Sequence, residues 1–279
     1  MRLTTKIILS IIAVTFLISL IFIIGFSFTD RKNYKHHSST ANTINFSQEN
    51  KTEIELPSYN TIFIDEVAFD GSKGGYYNGL SDNCGIYLDL IPENYTSDVL
   101  LVPESVKDFI SLKTYGDTLK IIIDLPELNK KHATDKIKIP RYSELDLRFN
   151  ISKIDFTNKI HGLSVIAKNI NTDSIKIKSS GNIYIESCNA DVLEPLVTTH
   201  AQLSVKNSNL KKLNLDLDYA GRWHIEDSNI EEENLTGSKI HNITQSKEES
   251  RKINWFPKNK EAQLNVNIKS DTVQIIFPL

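Results

Sequence analysis

The chain has 279 residues and a formal net charge of −3, with 32 Lys and Arg scattered among 35 Asp and Glu. That balance argues against nucleic acid as a partner, which needs a continuous basic stripe. Two cysteines, Cys84 and Cys188, with no CxxC pair, argue against a structural zinc site. They read as separate thiols, with a disulfide open as the alternative if the chain is exported.

Residues 7–28 read IILSIIAVTFLISLIFIIGFSF, without a charge between Lys6 and Asp30. At 1.5 Å per residue such a helix spans roughly 33 Å, the thickness of a bilayer core. Residues 1–28 are therefore read as a signal anchor, a single transmembrane helix. A cleaved export signal is the rival, but the apolar run is long for one and Gly25–Phe28 makes a poor cleavage site. The expected location is a single-pass membrane protein with its C-terminal part outside the cytoplasm, although Arg31, Lys32 and Lys35 leave the charge rule balanced. Residues 29–56 are polar and aperiodic and read as a flexible linker. His36 and His37 within it are taken as solvated.

Strand character begins at Thr61–Ile64. A glycine-rich loop at 71–79 follows, which lacks the Gly-Lys-Ser/Thr ending of a phosphate loop. Ile86–Ile91, Phe109–Leu112 and Leu119–Ile123 read as further strands, the last two as a hairpin around Gly116 or as successive coil strands. No stretch after residue 29 carries a long helical period.

The strongest signal is an internal repeat. SVIAKNIN, NIYIESCN, QLSVKNSN and RWHIEDSN end at Asn171, Asn189, Asn209 and Asn229, spaced by 18, 20 and 20 residues. One apolar column holds Leu145, Val165, Ile183, Leu203 and Trp223; a second holds Leu147, Ala167, Ile185, Val205 and Ile225. Alternation with polar positions marks strands with one buried face. Each unit is too small to bury its own core, so units must stack. The outward column Arg148, Lys168, Glu186, Lys206, Glu226 alternates in sign from Lys168 on, as parallel register would favour. The four asparagines read as a structural ladder of stacked amides closing a turn; a line of ligand-binding amides is the other reading. After Asn242 the repeat fades, and Leu264–Ile268 with Val273–Phe277 read as a hairpin within a C-terminal cap, 253–279.

The fold class expected is thus all-β, a single-stranded parallel β-helix or β-solenoid of about 20-residue coils over 57–279, clearest at 145–240, behind an N-terminal transmembrane helix. The opening Tyr59–Ile64, the stretch from Val106-Lys107-Asp108 to Gly116–Ile121 and the Asn-bearing coils resemble the "head GIN" adhesin domains (the DUF2807 group) of bacterial envelope proteins, over about 58–278. The resemblance implies a β-helical solenoid exported to the envelope, and no activity.

No catalytic constellation emerges, and no catalytic, cofactor or metal residue is assigned. Asp173, Asp191, Lys211 and Glu231 share the position two after each Asn and read as solvated turn residues; an acidic catalytic or calcium-binding edge is the sharper alternative. His161, His200 and His224 fall in no common column, and no nucleophile elbow is present. Tyr184, Trp223 and His224 suggest a sugar- or protein-binding face, with Trp223 also fitting the core. The functional expectation is a membrane-anchored binding, adhesion or structural module of the cell envelope that meets envelope glycans or proteins and needs no cofactor. The alternative is a polysaccharide lyase or hydrolase on the same scaffold.

Overall fold

The structure, a computed structural model, describes residues 43–279 apart from 69–78, 91–96, 135–136, 138–139, 199–200, 246–249, 269–273 and 277–279. The expected membrane segment at 7–28, the tether up to residue 42 and most of the glycine-rich loop lie outside the described residues. Among those described, no helix is long and apolar enough to cross a membrane.

The described chain is overwhelmingly strand, and most strand pairs are parallel. Its first part contains β1 (Thr43–Asn45), β2 (Lys51–Glu55), β3 (Thr61–Glu66), β4 (Gly85–Leu90), β5 (Val99–Pro103), β6 (Ile110–Tyr115), β7 (Thr118–Ile123) and β8 (Arg141–Ser143). The polar stretch expected to remain a linker to residue 56 is therefore strand at β1 and β2. β2 pairs antiparallel with β5, and β6 with β7 as a hairpin whose turn uses Gly116 at φ +55°.

A short helix, α1 (Leu125–His132), follows β7. Asp124 caps it by accepting from Glu127 N at 3.0 Å, Pro126 sits in the first turn, and Lys130, Lys131 and His132 face the negative end of the dipole. At eight residues it lies below the length where periodicity is legible; burial of Leu125 and Leu128 holds it in place.

From β9 (Asp146–Ile151) the chain alternates between two sheets: β10 (Ile154–Asn158), β11 (Ser164–Lys168), β12 (Asn171–Ser179), β13 (Ile183–Glu186), β14 (Asn189–Val197), β15 (Gln202–Lys206), β16 (Asn209–Asp216), β17 (Arg222–Glu226) and β18 (Asn229–Gly237). β19 (Ile240–Gln245), β20 (Ser250–Pro257), β21 (Gln263–Ile268) and β22 (Gln274–Ile276) follow. The ten-stranded sheet runs β22-β20-β18-β16-β14-β12-β10-β3-β7-β6, and the eight-stranded sheet runs β17-β15-β13-β11-β4-β9-β5-β2.

Register follows the repeat. Val165 pairs with Ile183, Ile183 with Leu203 and Leu203 with Trp223; Ala167, Ile185, Val205 and Ile225 pair likewise. These inward side chains are buried except Trp223, which is half-buried on the edge strand β17. Each buried Ile or Leu contributes roughly 1.5–3 kcal/mol over its exposed state, available only when a neighbouring rung covers it.

Four expectations are corrected by the register. β4 is threaded between β9 and β11, so Leu147 pairs with Ile86 and Ile86 with Val165; Leu145 is not the neighbour of Val165. Arg148 consequently pairs with Tyr87 and stands outside the Lys168–Glu226 column. The terminal strands form no hairpin: β21 pairs parallel with β19 and β22 parallel with β20. The repeat continues past Asn242, since β20 lies on β18 with Asn234 opposite Asn254 and Leu235 opposite Trp255. Phe149 and Phe156 meet edge to face at 5.1 Å and join the first part of the core to the repeating part.

Candidate functional site

The corners explain the asparagine spacing. The residue after each of β11, β13, β15 and β17 in the eight-stranded sheet lies in the left-handed region: Asn169 (φ 56°), Ser187 (54°), Asn207 (49°) and Asp227 (48°). Asn and Asp tolerate that region best. One buried residue follows (Ile170, Cys188, Ser208 or Ser228), and then the asparagine that starts the next strand. Backbone bonding continues through the corner: Asn189 N donates to Ile170 O at 2.7 Å, Asn209 N to Cys188 O at 2.8 Å and Asn229 N to Ser208 O at 2.8 Å. The buried hydroxyls complete it. Ser208 Oγ accepts from Cys188 N at 3.0 Å and Ser228 Oγ from Ser208 N at 3.1 Å. Sequence reading missed this hydroxyl column, although the Ser-Asn dipeptides carried it.

Asn171, Asn189, Asn209 and Asn229 stand in one register column, and Asn209 Nδ2 donates to Asn189 Oδ1 at 3.0 Å. They border a shallow groove of about 370 Å³, together with Asp173, Asp191, Lys211 and Glu231. Those four lie on the strands β12, β14, β16 and β18, not in turns. Lys211 pairs with Asp191 at 2.5 Å, so a cation already occupies the acidic row. Among the described residues no group of three or more His, Cys, Asp or Glu could hold a metal ion.

A longer amide chain lies on the outer face of the ten-stranded sheet, in a column the sequence did not mark. Asn254 Nδ2 donates to Asn234 Oδ1 (2.8 Å), Asn234 Nδ2 to Asn214 Oδ1 (2.9 Å) and Asn214 Nδ2 to Glu194 Oε1 (3.0 Å). Lys176 closes the row at 3.5 Å from Glu194. Beside it runs an open groove of about 400 Å³ bordered by Lys178, Leu196, Asp216 and Thr236. Elsewhere rungs are joined by Lys168–Glu186 (3.1 Å), Lys206–Glu226 (2.5 Å) and Lys252–Glu232 (3.0 Å).

At one end of the groove a compact charge cluster ties the corner. Lys258 Nζ donates to Asp216 (2.6 Å) and to Asp218 (2.9 Å); Asp218 Oδ1 also accepts from Ser238 N (2.9 Å) and lies 3.1 Å from His241 Nε2. Burial alone would raise the Asp218 pKa, but the Ser238 amide, Lys258 and His241 outweigh it and hold the carboxyl far below the usual range. A Cβ at Gly237 would lie 2.6 Å from His241 Nε2, so glycine makes room for the ring.

The remaining candidates are dispersed. His224 lies exposed on β17, 3.7 Å from Glu226, and His161 lies at a corner; His200 is outside the described residues. Tyr184 projects from the eight-stranded sheet, about a third of the sequence away from Tyr87 but within two strands of it. Cys84 and Cys188 are both free and buried. Cys188 occupies the serine column, its Sγ within hydrogen-bond reach of Glu186 O (3.3 Å) and Ala167 O (3.4 Å), and burial raises its pKa, opposed by the backbone of Ile170 and Glu186.

No family model matches the chain, and no curated protein matches it. Among solved structures, a protein of Bacteroides fragilis NCTC 9343 provisionally named an adhesin aligns with 85% of this chain and 100% of its own at 15% identity and a TM-score of 0.44. Another provisional adhesin, from Parabacteroides distasonis ATCC 8503, covers 84% and 100% at 10% identity and 0.44. A provisional lipid-binding protein of the same organism covers 85% and 100% at 10% identity and 0.38.

Proposed function

We propose that this chain is a membrane-anchored, extracytoplasmic β-solenoid that serves as a binding or adhesion module of the bacterial cell envelope. The uninterrupted apolar run at 7–28 supports the anchor, and the parallel rungs at 18–20-residue offsets support the solenoid. Resemblance to the head GIN domains points the same way. The observation that carries the binding role is the outer face of the ten-stranded sheet, where Asn254, Asn234, Asn214 and Glu194 are fixed by their own hydrogen bonds beside an open groove. Side chains ordered before a ligand arrives lose little entropy on binding. Asn171, Asn189, Asn209 and Asn229 serve in this reading as a structural column holding corners in register.

The enzyme alternative would draw on Asp216, Asp218 and His241. Against it, the carboxylate oxygens of both aspartates are occupied by Lys258, Ser238 N and His241. The test is a glycan and envelope-protein binding screen with the full chain, run beside turnover assays on acidic polysaccharides. Binding that weakens in Asn214→Ala and Asn234→Ala, without turnover, is expected. Turnover abolished by Asp218→Asn would replace the binding reading with the enzyme. Cell fractionation with external protease tests the anchor: release of the domain from intact cells is expected.

A further inference from the structure

A third concavity, unrelated to the outer face of the ten-stranded sheet, lies at the β4-β9-β5-β2 end of the eight-stranded sheet, beside the segment that follows β1. Its volume is about 460 Å³, and it is lined by Lys51, Tyr87, Asn83, Glu144, Asp146 and Arg148, with Phe46 and Pro103 as apolar wall. That size suits a single small organic ligand. Three different parts of the chain deliver the polar groups: Lys51 from β2, Tyr87 from β4, Asp146 and Arg148 from β9.

We propose that this pocket binds the carboxylate-bearing end of an acidic sugar. The inference rests on the envelope-binding reading above for its setting and adds the site and ligand class. Arg148 lies with its guanidinium 5.0 Å over the Tyr87 ring, which fixes its plane. Its Nε is enclosed and out of a ligand's reach, while the side chain as a whole is 43% exposed and its Nη2 makes only a loose ion pair with Asp146 at 3.8 Å, beyond hydrogen-bond reach. The exposed Nη edge is therefore oriented and makes no close hydrogen bond, the geometry that takes a carboxylate. Lys51 stands at the rim as a second cation. Its pKa is lowered, first by burial and then by Arg148, and Asp146 offsets this only in part. An incoming anion between the two would relieve that crowding.

The rest of the lining selects what the anion is attached to. Asp146, beside Arg148, and Glu144 add negative charge to the lining, so a compact dianion such as phosphate is repelled more than a single carboxylate. Hydroxyl groups would instead be welcomed, donating to those carboxylates and to the Asn83 amide. Burial, with the charge of Asp146, raises the Tyr87 pKa and keeps its hydroxyl a neutral donor. A hydroxyl-rich carboxylate with one apolar ring face, laid against the apolar wall of Phe46 and Pro103, satisfies every wall.

Isothermal titration of the full chain with galacturonate, galactose and inorganic phosphate tests this. Galacturonate should bind about ten-fold or more tightly than either control, and Lys51→Gln should weaken it about ten-fold. Arg148→Gln should do the same, and Arg148→Lys, which keeps charge but loses the fork, should fall between. Because the anion raises the Lys51 pKa, binding at alkaline pH should take up protons, so the heat should depend on the buffer. Absence of galacturonate binding, equal binding of phosphate, or wild-type affinity in a folded Lys51→Gln or Arg148→Lys protein would each overturn the assignment. Glycan binding lost in Asn234→Ala but untouched by these pocket variants would remove this inference and leave the proposed function standing; galacturonate binding with an otherwise blank screen would do the reverse.

Discussion

The two ends of the strand series are built differently. From Ile154 to Pro257 each strand of the ten-stranded sheet lies on the one before it in sequence, at nearly constant offset. Between Thr43 and Ile151 the order is scrambled: β3 is inserted between β7 and β10, β4 between β9 and β11, and three antiparallel pairings, β5–β9, β2–β5 and β6–β7, stop the stacks. The first region repeats local contacts and could extend indefinitely. The second ends the series by burying strand edges under segments distant in sequence, which is what keeps an open stack from recruiting further strands.

The comparison can be broken most severely at the joint. Phe149→Ala removes the ring that meets Phe156 across the boundary and should cost about 3–5 kcal/mol in denaturant unfolding; a second, separate transition would show the two regions to be independent. Next is Asn158, buried at the first corner, whose amide donates to Ile160 O, Leu163 O and Ser179 Oγ and accepts from Ile160 N. Asn158→Ala should cost about 3 kcal/mol by the same measurement, because several partners are left unpaired inside. In the repeat itself, Ser208→Ala strips the acceptor from Cys188 N and should cost about 1–3 kcal/mol, whereas Cys188→Ser should change stability by about 1 kcal/mol or less.

Acid should act on the later rungs. Asp218 has a depressed folded pKa, so its contribution is complete above the unfolded carboxyl value of about 4 and fades as pH falls below it. Thermal midpoints measured from pH 5 to pH 2 should therefore fall less steeply in Asp218→Asn. The smallest effect is expected at Lys206→Gln, which removes an exposed ion pair with Glu226 and should leave the denaturant midpoint unchanged within error.

What the sequence made legible follows the same division. The columns through Val165, Ile183 and Leu203 were readable because identical chemistry recurs at a fixed interval, and stacking turns interval into contact. The threading of β4 was unreadable because Ile86 and Val165 are linked by no local spacing. Glu233 illustrates a second limit: it pairs with Leu213 and Ile253 in a buried inward column, where an alternating pattern predicts an aliphatic residue. The candidate sites were the least legible. The Asn214–Asn234–Asn254 row carries the same 20-residue interval as the column at Asn189, Asn209 and Asn229, yet its asparagines are not flanked by a recognisable turn. The Lys51–Arg148 pocket draws on strands nearly a hundred residues apart.

The amide row on the ten-stranded sheet has one remaining consequence. Every asparagine in it gives its proton the same way, from residue 254 toward residue 194, where a carboxylate and then Lys176 terminate the series. Aligned dipoles of this kind reinforce one another. The surface thus has a head and a tail, and a long polymer lying along it would be read differently according to which of its ends arrives first.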